Sequence, residues 1–173
     1  DTAESWESPD SLTYILKIRP GIKFHNGREM TSDDVKWTMD RMMIESSEKR
    51  LFPTLESIDA TDKHTVQFNL SEPFYPFMAN LASQTVIIYA KESGKDDPDK
   101  AAGKDFRGAD TVMGTGPFVL ESYAEDSIVK FNANPDYWRE GLPYLDKLDR
   151  LLIKDSATRL SAFRTGQVDV MAG

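Results

Sequence analysis

The sequence predicts an α+β fold, with mixed sheets and flanking helices. Residues 12–19 alternate apolar side chains with other residues, the pattern of a half-buried strand, and residues 58–70 and 118–131 each read as a β-hairpin. Residues 31–43 and 156–165 instead place apolar side chains three or four positions apart, which is helical spacing. Hairpins and helices both recur along the chain, and this combination is typical of an α+β protein.

Length and composition indicate a globular protein with a core. The chain has 173 residues, of which 39% are hydrophobic and 29% charged, which suits one domain and is too apolar for disorder. The net charge of −8 argues against a nucleic-acid partner, because phosphate binding needs a concentrated Lys/Arg footprint. The sequence contains no cysteine, so it can form neither a disulfide framework nor a thiolate metal site.

The first part of the chain is predicted to contain a strand, a tight turn and a helix. After the strand at residues 12–19, residues 22–24 resume the extended pattern, and Asn26-Gly27 is a strong turn signal. Thr31 is predicted to begin a helix, because its hydroxyl can cap the amides of the first turn. The apolar stripe of this helix consists of Val35, Met39, Met42 and Met43.

The middle of the chain alternates ordered and polar stretches. Residues 45–54 read as a surface excursion, and the hairpin at residues 58–70 follows. Apolar spacing predicts a short helix over residues 73–82, and residues 85–89 form a candidate buried strand. Residues 91–110 are polar and broken by glycine and proline, which predicts a mobile loop with one helical turn.

The last part of the chain begins with a glycine turn and a hairpin, which together occupy residues 114–138. A strand over residues 148–153, a helix over residues 156–165 and a further strand over residues 168–171 are predicted to follow. Strand, helix and strand in this order predict a parallel crossover unit.

No residue set carries the signature of catalysis or of a cofactor. His25 and His64 lack metal-site spacing and are expected to be surface histidines. The carboxylates at residues 96–99 lack the glycine and glutamate of a calcium loop, and residues 114–116 lack the third glycine of a dinucleotide turn. We therefore expect no enzyme activity, no metal and no cofactor.

Short motifs along almost the whole chain closely resemble, in the same order, those of the family 5 extracellular solute-binding proteins. This family comprises the dipeptide, oligopeptide and nickel receptors of ABC importers. The motifs occupy residues 3–7, 12–27, 31–35, 70–74, 114–118, 134–138, 143–146, 157–160 and 164–169.

The resemblance implies a fold and a domain organisation. Proteins of this family are type II, cluster C periplasmic binding proteins with two lobes, and they are about three times longer than this chain. Residues 1–147 are similar to the extra subdomain of the first lobe. Residues 148–173 are similar to the start of the return into the main ligand-binding subdomain. The chain is therefore expected to be a fragment of the first lobe.

The resemblance also implies a function. A receptor of this family captures a small-molecule solute without covalent chemistry and delivers it to an ABC permease in the membrane. The solute expected for this chain is a peptide. The receptor is expected to be monomeric, and to act in the periplasm or outside the cell, either free or tethered as a lipoprotein. Two alternatives remain: a sensor domain of a transcription regulator with the same fold, and a hydrolase whose carboxylates the sequence does not pair.

Two stretches are candidates for the wall of a ligand cleft. One is the excursion that contains Phe52, and the other is the glycine turn of Gly114, Thr115 and Gly116. A structural role is the alternative for both, since a ring can cover the core and glycines can set the path of the chain. Trp138 is assigned to packing.

Overall fold

The computed structural model describes residues 2–45, 47–94 and 113–171. Across these ranges, seven strands form one four-stranded sheet and one three-stranded sheet. Three α-helices and two short 3-10 helices accompany the sheets. The predicted α+β class is confirmed, although all strand pairs in these ranges are antiparallel.

The first sheet contains four strands in the order β1-β2-β4-β3. They are β1 (Ala3–Glu7), β2 (Thr13–Ile18), β3 (Leu55–Asp62) and β4 (Thr65–Leu70). In central β4, Phe68 pairs with Tyr14 of β2 on one side and with Ile58 of β3 on the other. The predicted strand at residues 12–19 and the predicted hairpin at residues 58–70 are confirmed.

Strand β4 divides its side chains between a core face and an outer face. Val66, Phe68 and Leu70 are buried. Gln67 and Asn69 point the other way, and the Gln67 amide donates a hydrogen bond to the Asn69 side-chain oxygen at 2.8 Å. Because side chains alternate along a strand, a one-residue slip in pairing would turn the buried side chains outward, and the observed register avoids this.

Helix α1 (Ser32–Glu45) belongs to the same core, into which it buries Met39 and Met42. The predicted start of the helix is confirmed, but the cap differs from the predicted one. The Thr31 hydroxyl donates to the Asp34 carboxylate at 3.1 Å, and the Thr31 amide donates to the same oxygen at 2.8 Å. The third helical residue therefore caps the helix by reaching back, as in a capping box.

Helix α2 (Phe77–Leu81) places an aromatic ring at the centre of the core. The centroid of the Phe77 ring lies 4.7 Å from that of Tyr14, 5.7 Å from that of Phe52 and 5.3 Å from that of Phe68. Such tilted and edge-to-face pairs stabilise a core beyond the area that they bury. The rings join the sheet, α2 and the segment that precedes β3.

Two predictions in the middle of the chain are wrong. The stretch at residues 45–54 is not wholly a surface excursion, because Phe52 has 0% relative exposure after the 3-10 helix Ser47–Leu51. Residues 85–89 form no strand, since they pair with no described strand. The predicted loop at residues 91–110 begins as a 3-10 helix, Lys91–Gly94, and its remainder lies outside the described residues.

The second sheet has the order β5-β6-β7 and precedes helix α3. These elements are β5 (Phe118–Ala124), β6 (Ile128–Ala133), β7 (Lys147–Leu151) and α3 (Ser156–Arg164). The hairpin at residues 118–131 and the helix at residues 156–165 are confirmed. The Asp155 carboxylate caps α3 by accepting a hydrogen bond from the Thr158 amide at 2.8 Å.

The predicted parallel crossover at the end of the chain is wrong for the residues that the structure describes. β7 pairs antiparallel with β6, and residues 168–171 form no strand there. A strand needs a neighbouring strand to satisfy its backbone, and no described strand pairs with this stretch. The described part of this stretch contributes the strand β7 and the helix α3, and the assignment of residues 148–173 to the start of the main ligand-binding subdomain stays a prediction.

Candidate functional site

The glycine turn, residues 114–116, contacts the segment that follows β2 and the turn that follows β6. We call this contact region, residues 19–25, 114–116 and 134–139, the seam. The Gly114 carbonyl accepts a hydrogen bond from the His25 amide at 2.9 Å. The Gly116 carbonyl accepts from His25 Nε2 at 3.1 Å and from Asn134 Nδ2 at 3.0 Å. A carbonyl can only accept, so Nε2 carries the proton of the His25 ring. His25 and Asn134 thus hold the turn from two sides.

Neither the backbone conformation of this turn nor crowding by the described residues requires glycine at positions 114 and 116. Neither Gly114 nor Gly116 has a left-handed φ. A Cβ atom at Gly114 would lie 3.8 Å from His25 Cε1, an ordinary contact, and one at Gly116 would meet nothing within 4 Å. Thr115 between them is half-buried. The turn therefore has room on one side for an atom that the described residues do not supply.

Phe52 lies elsewhere, inside the aromatic core. Its 0% relative exposure leaves no face of the ring for a solute, and its edge-to-face contact with Phe77 gives it a packing role. No hydrogen bond or ring contact among the described residues joins Phe52 to the glycine turn. The structure thus separates the two predicted parts of the site.

A buried ion pair, which the sequence analysis did not find, fixes the start of α1. Asp34 has 0% relative exposure and accepts two hydrogen bonds from Arg28, from Nη1 at 3.0 Å and from Nη2 at 2.6 Å. It also accepts from the Lys91 amide at 3.1 Å. Arg28 Nη2 also donates to Glu92 at 2.7 Å. Asp34 and Arg28 together thereby tie residues 91–92 to the start of α1.

The charged forms of this pair are favoured. Burial alone would raise the pKa of the Asp34 carboxyl, but the Arg28 guanidinium and the amides of Thr31 and Lys91 hold it below its ordinary value. The hydrogen bond to Asp34 raises the pKa of Arg28. Both groups therefore stay ionised at neutral pH.

A second ionic cluster is centred on Glu29 and joins the segment before α1 to the β3–β4 turn. Its carboxylate accepts from Lys63 Nζ at 2.6 Å, from the Gly21 amide at 2.8 Å and from His64 Nε2 at 3.0 Å. The Lys63 ammonium, followed by the Gly21 amide and His64, lowers the pKa of Glu29 to about 2. His64 therefore has a structural role, since it holds the Glu29 carboxylate against the β3–β4 turn.

The two histidines are half-buried rather than fully exposed. Among the described residues, no three His, Cys, Asp or Glu side chains are grouped as a metal site would require. In the same part of the chain, no helix has the length and apolar character needed to cross a bilayer.

Trp138 packs at the seam, as the sequence analysis expects. Its indole is partly buried against the hydrophobic core. The Arg19 guanidinium lies 5.5 Å from the ring centroid and the Arg139 guanidinium 4.7 Å from it. Lys23, four residues after Arg19, contacts Asp136 Oδ1 through its Nζ at 3.2 Å across the same seam. Contacts between side chains thus join the segment after β2 to the turn after β6.

The fold is that of part of a periplasmic binding protein. It superposes on the periplasmic binding protein AgaA of A.tumefacien R10, solved with agropinic acid, with a TM-score of 0.85 at 27% identity, covering 97% of this chain and 33% of that one. It also superposes on the oligopeptide-binding protein AppA of Bacillus subtilis, solved with a nonapeptide, with a TM-score of 0.84 at 29% identity, covering 97% of this chain and 34% of that one.

The chain belongs to the bacterial extracellular solute-binding proteins, family 5 Middle, whose family model matches residues 1–173. It is 34% identical over 189 residues to Di/tripeptide-binding protein 4 of Pseudomonas aeruginosa (strain UCBPP-PA14), covering 97% of this chain and 35% of the relative. The chain therefore spans about a third of the length of the proteins that it matches. The resemblance seen in the motifs is confirmed.

Proposed function

We propose that this chain is part of the solute-binding component of an ABC importer, which captures a peptide or a similar solute noncovalently and delivers it to a membrane permease. The observation that carries the proposal is the 34% identity to a di/tripeptide-binding protein across 97% of the chain. The nonapeptide bound to AppA supports a peptide in particular. The relatives are named as binding proteins, so we propose no catalysed reaction.

The sensor alternative has no support. The relatives and structural neighbours described above are named as binding proteins, and none of these is named as a transcription regulator. The family's description as extracellular supports action in the periplasm or outside the cell, either free or as a tethered lipoprotein. We propose a monomer as the acting form.

We also propose that residues 1–147 form the extra subdomain of the first lobe and that residues 148–173 begin its main ligand-binding subdomain. Exposed apolar side chains near the end of the chain support this division. They include Leu148 at 42%, Leu151 at 44%, Leu160 at 37% and Phe163 at 45% relative exposure. Several large apolar side chains exposed in one short stretch suggest contacts with further chain, and relatives about three times longer have the chain to supply them.

The glycine turn is our candidate for the cleft wall, whereas Phe52, buried against Phe77 in the aromatic core, is given a packing role. The turn is half-buried, and the open space beside Gly116 leaves room for a solute atom. Glycine allows a ligand to approach the backbone closely.

Peptides are expected to raise the melting temperature of the longer protein that contains this chain. A ligand that binds the folded state at one hundred times its Kd adds about 2.7 kcal/mol of stability. Thermal shift should be measured with dipeptides, tripeptides and longer peptides, and with the constituent free amino acids as controls. If no peptide raises the melting temperature, the importer proposal loses its main support.

The variant Gly116→Val tests the glycine turn. We expect it to weaken peptide binding by about tenfold or more, because a side chain would fill the space offered to the solute. The variant should keep its stability, since a Cβ atom at this position meets nothing within 4 Å and φ is not left-handed.

Calorimetry with the best peptide measures the effect, and Ala124→Val is the matched control. It adds similar volume at an exposed position of β5, where no effect on binding is expected. Unchanged affinity in Gly116→Val would remove the turn from the cleft without affecting the importer proposal.

A further inference from the structure

The turn at residues 24–28 contains the one Asn-Gly pair of the sequence. Asn26 and Gly27 are both exposed, and Gly27 has a φ of 84°. The Gly27 amide donates a hydrogen bond to the Phe24 carbonyl at 2.8 Å, and the Arg28 amide donates to the Asn26 side-chain oxygen at 3.0 Å. The pair therefore lies at the tip of a tight turn that solvent reaches.

This turn lies between two of the contacts described above. His25, directly before Asn26, donates to the Gly116 carbonyl through Nε2 at 3.1 Å. Arg28, two residues after Asn26, donates to the buried Asp34 carboxylate through Nη2 at 2.6 Å. A change in the main chain at residue 26 would therefore act on both contacts.

We propose that Asn26 is a spontaneous modification site, at which the asparagine converts to aspartate and isoaspartate with water as the only co-reactant. The Gly27 nitrogen attacks the side-chain carbonyl carbon, Cγ, of Asn26. The new N–Cγ bond closes a five-membered imide, while the Cγ–Nδ2 bond breaks and ammonia leaves with the proton of the Gly27 amide. Water then opens the imide. Addition at Cγ gives aspartate, and addition at the main-chain carbonyl carbon gives isoaspartate.

The residue that follows an asparagine decides how readily its side chain reacts. Glycine has no Cβ to hinder the attacking nitrogen, and the space beside Gly27 is open, since a Cβ there would meet nothing within 4 Å. The other asparagines are followed by a larger residue or by proline, which has no amide proton to lose. They are Asn69 and Asn80 before leucine, Asn132 before alanine and Asn134 before proline. Asn26 should therefore be the first of them to convert.

The native turn slows this reaction, because it holds both reacting groups. The Gly27 N–H is bonded to Phe24, and the Asn26 side-chain oxygen is bonded to the Arg28 amide. Ring closure therefore requires the turn to open locally. Two hydrogen bonds of ordinary strength should slow the conversion about tenfold or more relative to the unfolded chain.

The two products differ in their effect on the turn. Aspartate keeps a side-chain oxygen that accepts from the Arg28 amide, so the turn is retained. Isoaspartate routes the main chain through the former side chain and so adds one methylene between Phe24 and Arg28, whose carbonyl accepts from the Phe24 amide at 2.8 Å. The isoaspartate form should therefore weaken the contacts of His25 and Arg28 and lose stability. This inference does not depend on the proposed function.

The test is incubation of the longer protein at neutral to mildly alkaline pH, followed by trypsin digestion and mass spectrometry. Cleavage after Lys23 and Arg28 releases residues 24–28 as one peptide. We expect this peptide to gain the mass difference between NH₂ and OH before any other asparagine peptide of residues 1–173, and to separate into two product forms. Asn26→Ser is the matched control, because it keeps an oxygen acceptor for the Arg28 amide but has no carbonyl carbon for ring closure.

The effect on stability is measured on the isoaspartate form after its separation by ion exchange. Its melting temperature should lie below those of the parent protein and of Asn26→Asp, whereas incubated Asn26→Ser should melt like the fresh variant. Earlier conversion of another asparagine of residues 1–173 overturns the proposal. So does an unchanged residue 26 at a time when the denatured protein has converted completely. An isoaspartate form that melts like the parent protein overturns the effect on the two contacts.

Discussion

Replacing Phe77 by alanine is expected to lower the free energy of unfolding by about 3–5 kcal/mol, the usual cost of removing a buried phenylalanine. Phe77 has 0% relative exposure and contacts the rings of Tyr14, Phe52 and Phe68. It is also the buried residue of α2, a helix of five residues without a side-chain cap. Because a helix of this length is not stable by itself, the variant should also loosen α2.

Equilibrium denaturation of the protein measures this effect. The control is Tyr75→Ala, two positions earlier, where the ring is 90% exposed and the change should stay within about 0.5 kcal/mol. Phe77→Leu should fall between the two, because leucine refills most of the cavity. A loss below about 1 kcal/mol in Phe77→Ala would contradict a central role for this ring.

Elements with a strong local pattern could be predicted from the sequence. The alternation in β4 and the apolar stripe of α1 both appear where expected, because one face of each element is buried. β1 has no such pattern, since most of its residues are exposed, and its existence depends on pairing with β2. Conversely, residues 85–89 have apolar side chains that pack against the core but form no strand. A periodic pattern reports burial and does not report whether a partner strand is present.

The candidate site was harder to predict, because its contacts join residues far apart in sequence. The polar residues that precede Phe52 in sequence predict a surface position, yet its ring packs against Phe77, which lies on α2. Asp34 reads as a residue that suits the helix dipole, whereas its partners Arg28 and the Lys91 amide come from outside α1. The seam contacts of His25 with residues 114–116 are equally distant. The succession of family motifs identified the protein class without revealing any of these contacts.

Replacing Asp34 by alanine is expected to cost about 3–5 kcal/mol of stability, because it leaves the Arg28 guanidinium without its buried partner. The loss also removes the cap of α1 and the acceptor of the Lys91 amide. The adjacent Asp33→Ala is the matched control, since its side chain is 64% exposed and lies 4.0 Å from Lys91 Nζ. Denaturation midpoints of the two variants should therefore differ clearly, and equal midpoints would contradict the role given to the buried pair.

The contribution of Asp34 also depends on pH, with a sign that the structure determines. The pKa of Asp34 is lower in the folded state than in the unfolded state. The stabilisation is therefore fully present above the unfolded-state pKa of about 3.9, and it is lost as the pH falls through the folded-state pKa. Asp34→Asn removes this titration and nearly preserves the shape of the side chain. Below about pH 4, the parent protein should therefore lose stability more steeply than Asp34→Asn. If both proteins lose it in parallel, other carboxylates govern acid unfolding, among which Glu29, with its pKa lowered to about 2, is the first to test.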